Sequence, residues 1–373
     1  MKRVRTSELI PGMRTVEDVY SFNNQLVVGA DTVLTDEIIT RLEFYSVLSI
    51  RVEENGAVAV EPEAPKAVEP QGVEDFASLP EQMSYSQKIK ATKQFKEFEK
   101  SFVSNAEALD GHLHDIIEKS SINTNVLLES VSNLISQSTT SIGMFDMLHN
   151  MRSYDNLTYV HSMSVSLICN IFGHWLKLRS EDIETLTLAG LLHDIGKLVV
   201  PEQIIKKPGR LTASEYNKIK AHTVEGYKIL KSMEIDERIK DAALLHHERC
   251  DGTGYPLSAT EEKISDFAKI VAIADVYDAM TAARVYRGPM CPFKVISIFE
   301  QEGLQKYDSK YILTFLENIG QTYMNNRVRL SDGREGDIVL IRKNSISRPL
   351  IKCLDGSFVD LLDTPELHIE ELV

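Results

Sequence analysis

The chain is short of several features that would place it quickly. Its four cysteines, Cys169, Cys250, Cys291 and Cys353, stand far apart with no paired spacing. That argues against a disulfide framework and against a thiolate zinc site. Nowhere do 18 apolar residues follow one another, so no transmembrane helix is expected. No apolar stretch follows the opening "MKRVRTSELIPGM", so no signal peptide is expected and the cytoplasm is the default location. Positive charge is scarce: 41 Lys and Arg face 55 Asp and Glu, a formal net charge of -14. A nucleic-acid footprint or a polybasic membrane anchor is therefore not expected. A small anionic ligand in a metal-bearing or locally positive pocket stays open.

What is present fits two or three domains with real cores: 373 residues, 43% hydrophobic and 26% charged. Residues 1–54 alternate in short segments, of which 23–54 read as strand, turn, strand, short helix and strand, with Thr35 as a candidate helix cap. This small α+β module holds no histidine or cysteine and is read as regulatory or dimerising. Residues 55–83 are rich in proline, alanine and acid, a linker composition. Residues 84–146 read as connecting helices. Residues 147–325 carry apolar residues at helical spacing and should form a compact helical domain. Residues 326–373 alternate with a period of two, broken by "SDG" and "LDG", which predicts three to five antiparallel strands. Arg327, Arg329, Arg334, Arg342 and Arg348 make that segment locally basic, and a solvated strand face is the favoured reading over a ligand surface.

Groups able to ligate a metal concentrate in the helical domain: His161, His193, Asp194, His222, His246, His247 and Asp275. Any one histidine alone is more often an ordinary core or surface residue. Two aspartates inside apolar helices change that, because a buried unpaired carboxylate is costly and a divalent cation relieves several such groups at once. Thr212 and Glu215 form a capping box that fixes the start of the helix running to His222. Asp275 and Asp278 share a helix face at i, i+3. His112, His114, His149, His174 and His368 receive no role.

The order His161, "HDIGK" at 193–197, His222, "HHERCDGTGYP" at 246–256 and "ADVYDAMTAARVYR" at 274–287 resembles the HD-GYP family of metal-dependent phosphohydrolases. The likeness covers residues 147–325 closely and residues 1–54 loosely. It implies a mainly α fold: a helical HD-type bundle flanked by a small N-terminal α+β module and a small C-terminal antiparallel β module. It implies hydrolysis of cyclic di-GMP by two divalent cations to pGpG, which family members sometimes cut on to GMP. Iron or manganese is the expected metal, and the mixed nitrogen and oxygen donors also admit nickel or zinc.

By the same resemblance His161, His193, Asp194 and Asp275 hold one cation, and His222, His246 and His247 the other, with Asp194 bridging. Lys197 is expected on a phosphate oxygen, and Arg284 and Arg287 on the second phosphate or stacked on guanine. Asp278 is expected to orient a ligand. Gly252 and Gly254 should permit a tight turn that Tyr255 and Pro256 stiffen. Leu157 stands where some members carry a third-metal glutamate, so two ions are expected. Ala283 and Val285 replace an acid and a proline common in the family, a change at the rim of the substrate site. Candidate partners are a diguanylate cyclase or other signalling protein and a second copy of the chain. The same residues admit two alternatives: a hydrolase of another nucleotide, and a catalytically weak cyclic-dinucleotide sensor acting through protein contacts.

Overall fold

A computed structural model describes residues 2–6, 9–20, 26–35, 38–39, 42, 47, 49–53, 83, 85–137, 141–151, 157–205, 207, 209–282 and 290–373. Nearly all of the expected linker, and both Arg284 and Arg287, lie outside the described residues. The chain divides into two compact units, residues 1–99 with 133–147 and residues 100–132 with 148–373. Among the described residues no helix is long and apolar enough to cross a membrane.

The N-terminal strands are β1 (Lys2–Arg5), β2 (Val19–Tyr20), β3 (Leu26–Val28) and β4 (Ser49–Val52). β1 pairs antiparallel with β4 in the register Val4↔Ile50, and β2 pairs with β3. Val4, Leu9, Val27, Leu34, Leu42 and Ile50 close a small core of their own. Thr35 accepts from the Ile38 backbone N–H at 3.2 Å, as its place before a helical pattern suggested. β1 went unforeseen because "KRVR" has one apolar residue and no alternation to read.

Four helices follow, α1 (Tyr85–Ala91), α2 (Lys93–Lys119), α3 (Thr124–Ile135) and α4 (Ser141–Met151). Phe95, Phe98, Phe102, Ala106, Leu109, Leu113 and Ile116 of α2 recur at three- and four-residue steps and are buried, the stripe of an amphipathic helix.

The helices that carry the chemistry come next: α5 (Leu157–Trp175), α6 (Ser180–Leu192), α7 (Glu202–Ile205), α8 (Ala213–Lys220), α9 (His222–Lys231), α10 (Glu237–Leu245), α11 (Asp266–Thr281), α12 (Pro292–Lys306) and α13 (Ser309–Gln321). A 3-10 turn, Ile195–Val199, links α6 to α7. α5 and α6 lie against each other, and Gly190 makes that approach possible. A Cβ there would sit 2.9 Å from Cys169 Sγ and 3.1 Å from Ser166 Cα. α11 is anchored from behind: Tyr277 packs edge-on to Phe315 at 5.2 Å between ring centroids, and its hydroxyl meets that of Tyr323 at 2.6 Å. Those contacts set the angle from which Asp275 and Asp278 leave α11.

The C-terminal strands β5 (Arg327–Leu330), β6 (Glu335–Arg342), β7 (Ser345–Cys353), β8 (Phe358–Asp360) and β9 (Ile369–Leu372) form one antiparallel sheet in the order β8-β7-β6-β5-β9. Glu300 of α12 clasps it, accepting from the Ile346 and Ser347 backbone N–H groups and from the Ser347 hydroxyl. The sheet's arginines are spent locally. Arg327 pairs with Asp337, Arg329 with Glu335 and Glu371, Arg334 with Asp332, and Arg342 with Asp360. Arg348 donates to the Leu361, Thr364 and Leu367 carbonyls. The fold is thus a mainly helical HD-type bundle, with small β modules near the N- and C-termini of the chain.

Candidate metal centre

The ligand-bearing residues sit where helices end, so backbone geometry aims them. His193 is the C-cap of α6 and Asp194 opens the 3-10 turn. His246 caps α10, with His247 next. His222 starts α9. His161 and Asp275 project from within α5 and α11. Two groups result, Asp194 with His222, His246 and His247, and His161 with His193 and Asp275; in each, one candidate ligand atom per residue lies within 4.8 Å of the others.

Asp194 lies between the two groups. Its Oδ2 is 3.3 Å from His193 Nε2 and 3.6 Å from His161 Nε2, while its Oδ1 is 3.3 Å from His222 Nε2 and 3.8 Å from His246 Nε2. One carboxylate oxygen faces each group. Asp275 Oδ1 lies 3.0 Å from His161 Nε2, and its Oδ2 is 3.7 Å from His247 Nδ1.

Three imidazoles are held in one tautomer by helix carbonyls three or four residues before them. His193 Nδ1 meets the Gly190 carbonyl at 2.7 Å, His222 Nδ1 that of Ile219 at 2.7 Å, and His246 Nδ1 that of Ala242 at 2.9 Å. A carbonyl only accepts, so each Nδ1 carries the proton and each Nε2 presents a lone pair to the centre. The Nε2 atoms of His222 and His246 face each other at 3.3 Å. His193 Nε2 and Asp194 Oδ1 are buried with no hydrogen-bond partner among the described residues. Lone pairs crowded together and left unpaired are unfavourable in a dry protein interior, and divalent cations reconcile them. The donors fit two such cations in a dinuclear centre.

Protonation follows the same geometry. Burial lowers His222, lowers His246 far more, and drives His247 down to about 3. Burial works to raise Asp194, but Lys197 and the imidazoles of His193 and His222 outweigh it and hold the carboxyl well below its usual range. His161 is the exception. Burial lowers it, yet hydrogen bonds to Asp275 and Asp278 (Nδ1 to Asp278 Oδ2, 2.7 Å) lift it to about 9. Without a cation His161 therefore keeps a proton between two carboxylates at neutral pH, and a cation must expel it. Cation affinity should rise with pH up to about 9 and level off above. Titrating metal into chelated protein at pH 7.5, in buffers of different ionisation enthalpy, should show about one proton fewer released by His161→Asn than by the parent chain. Equal release would remove His161 from this role.

The remaining expected residues are near by. Lys197 Nζ donates to Asp194 Oδ2 at 2.5 Å, so its ammonium stands at the centre's edge already paired. Gly252 has φ +75°, which favours glycine. At Gly254 a Cβ would lie 2.4 Å from Glu248 Cα and 2.5 Å from the His247 carbonyl, so only glycine lets the turn close onto the end of α10. Tyr255 donates its backbone N–H to the His247 carbonyl and lays its ring on that imidazole, 4.7 Å between centroids. Pro256 follows it in the turn, joined by a cis peptide bond. The side chain of Leu157 lies outside the described residues, as do Arg284 and Arg287.

Two features escaped the sequence reading. Glu248, buried directly after the histidine pair, accepts from the Leu257 and Ala259 backbone N–H groups at 2.6 and 2.9 Å and ties the glycine-rich turn to α10. An acid set between a helix end and a glycine turn was the available signal. Gly196 lets the 3-10 turn touch the start of α9 and so brings Asp194 to His222.

A family model described as an HD domain matches residues 127–311. The chain is 34% identical over 207 residues to the cyclic di-GMP phosphodiesterase PA4108 of Pseudomonas aeruginosa, covering 55% of this chain and 50% of that one. It is 38% identical over 167 residues to the 3'3'-cGAMP-specific phosphodiesterase 1 of Vibrio cholerae, covering 44% and 39%. It is 39% identical over 126 residues to the cyclic di-GMP phosphodiesterase response regulator RpfG of Xanthomonas campestris pv. campestris, covering 33% of each. The chain thus spans half or less of the length of these curated relatives.

Proposed function

Because this chain belongs to the HD superfamily through an HD-GYP-like domain, we propose that it is a metal-dependent phosphodiesterase that opens cyclic di-GMP to pGpG and carries it on to GMP. The observation that carries the reading is Asp194, with one oxygen toward each of two imidazole groups whose lone pairs are otherwise unreconciled. His161, His193, Asp194 and Asp275 would hold one cation, and His222, His246 and His247, with Asp194, the other. Two divalent cations supply a water of lowered pKa and neutralise charge on the phosphate. Iron or manganese is the proposed pair, although the donors also suit nickel or zinc.

The protein's own groups do the rest. Asp278 holds the His161 ring in place through Nδ1. Lys197, on the same Asp194 oxygen, is placed to meet a non-bridging phosphate oxygen as a point charge. Arg284 and Arg287 are the proposed grips for the second phosphate or a guanine. The four free cysteines suit a cytoplasmic setting. The flanking modules are the surfaces through which we expect contact with a diguanylate cyclase, another signalling protein or a second copy.

The test is chromatography of products from anaerobically purified protein given cyclic di-GMP, 3'3'-cGAMP, a guanosine polyphosphate and a deoxynucleoside triphosphate. Accumulation of pGpG and then GMP, fastest from cyclic di-GMP, is expected. Intact cyclic di-GMP beside a consumed alternative would replace the substrate. No turnover of any of them, with the cations bound, would favour a sensor.

A further inference from the structure

At the rim of the centre one cation has no anionic partner. Lys220, half-buried at the end of α8, makes no ion pair among the described residues. Its ammonium lies instead 5.2 Å from the ring centroid of Tyr216 and 5.8 Å from that of Tyr255. Tyr216 stands one helical turn before it and is 49% exposed, a large ring left facing water. Tyr255 in turn rests on His247. From the centre outward the groups run His247, Tyr255, Lys220, Tyr216.

This rim is built to hold still. The Thr212–Glu215 capping box fixes the first turn of α8, and Lys207 pins Glu215 at 2.7 Å. A pre-set aromatic face loses little freedom when it takes a ligand. A free ring face beside a lone ammonium matches the two parts of a nucleotide, the base and the phosphate.

We propose that Tyr216 and Lys220 form a nucleotide subsite, in which Tyr216 stacks on one purine of the cyclic dinucleotide and Lys220 takes the phosphate that is not being cut. The assignment rests on the phosphodiesterase reading of the adjacent centre. Every base offers a π-face, so the subsite adds affinity without choosing guanine over adenine. Neither residue touches the reacting phosphate, which makes both positioning residues.

The experiment compares the parent chain with Tyr216→Ala, Tyr216→Phe and Lys220→Gln. It measures KM and kcat on cyclic di-GMP and 3'3'-cGAMP, calorimetric binding of pGpG, and metal content. Tyr216→Ala should raise both KM values, and weaken pGpG binding, by about tenfold, with kcat moving less than about threefold. Tyr216→Phe should restore both, and Lys220→Gln should raise KM and flatten the salt dependence of pGpG binding. Unchanged KM and pGpG affinity in Tyr216→Ala at full metal content would overturn the subsite, as would failure of phenylalanine to restore them. If the parent chain cuts neither dinucleotide, the phosphodiesterase reading fails separately. The subsite then stands or falls on whether Tyr216→Ala weakens pGpG binding.

Discussion

Asp194→Ala should strip both cations from the protein and lower turnover by at least about a thousandfold, while the helices stay folded. The size follows from position. Asp194 turns one oxygen to His161 and His193 and the other to His222 and His246, so its loss removes a ligand from both sites at once. The fold should tolerate the change, because Lys197, its ion-pair partner, is partly exposed and can turn to water. Circular dichroism and thermal melting of chelated protein should match the parent, and metal analysis should fall from about two ions per chain to near none. Retained turnover, or one ion still bound tightly, would mean that the two groups work independently.

Gly196→Ala is expected to do the opposite, breaking the frame with every ligand still present. A Cβ at Gly196 would lie 1.9 Å from the His222 carbonyl and 2.4 Å from the Gly226 nitrogen. Both obstacles are backbone, so no side chain can swing aside. Overpacking of this kind costs about 3 kcal/mol or more, roughly 6–10 °C in melting temperature for a unit of this size. The α9 helix must also back away and take His222 with it, and a misplacement of about 1 Å costs on the order of a hundredfold in rate. Gly111→Ala is the control, since nothing lies within 4 Å of a Cβ there and the residue is within a helix. It should melt no lower than the parent. Equal melting of Gly196→Ala and the parent would show that the close approach is not required.

These variants also show how much the chain discloses unaided. Helical spacing from 84 to 325 and alternation after 326 were readable because one buried face imposes a fixed period. The capping box was readable because it needs only two side chains at a fixed offset. The adjacent histidines of "HHERCDGTGYP" serve one centre because α10 ends there and the folded-back turn at Gly254 and Tyr255 presses His247 toward the same place as His246. What stayed hidden depends on partners far away in sequence. Gly196 matters because of the His222 carbonyl, 26 positions on, and Glu248 because of amides in a turn whose path no period encodes. The segment after 326 read as locally basic because some of its arginines meet their acids far along the chain, as Arg342 meets Asp360.

The proposed chemistry requires a pair of cations held by seven side chains from five places in the fold. Counting them is the direct test: titrate manganese or ferrous iron, without oxygen, into chelated protein against a chromophoric competitor. Two ions per chain, falling to near none in Asp194→Ala, is the predicted result. A parent chain that binds one ion or none, or an alanine variant that binds as the parent does, would contradict it.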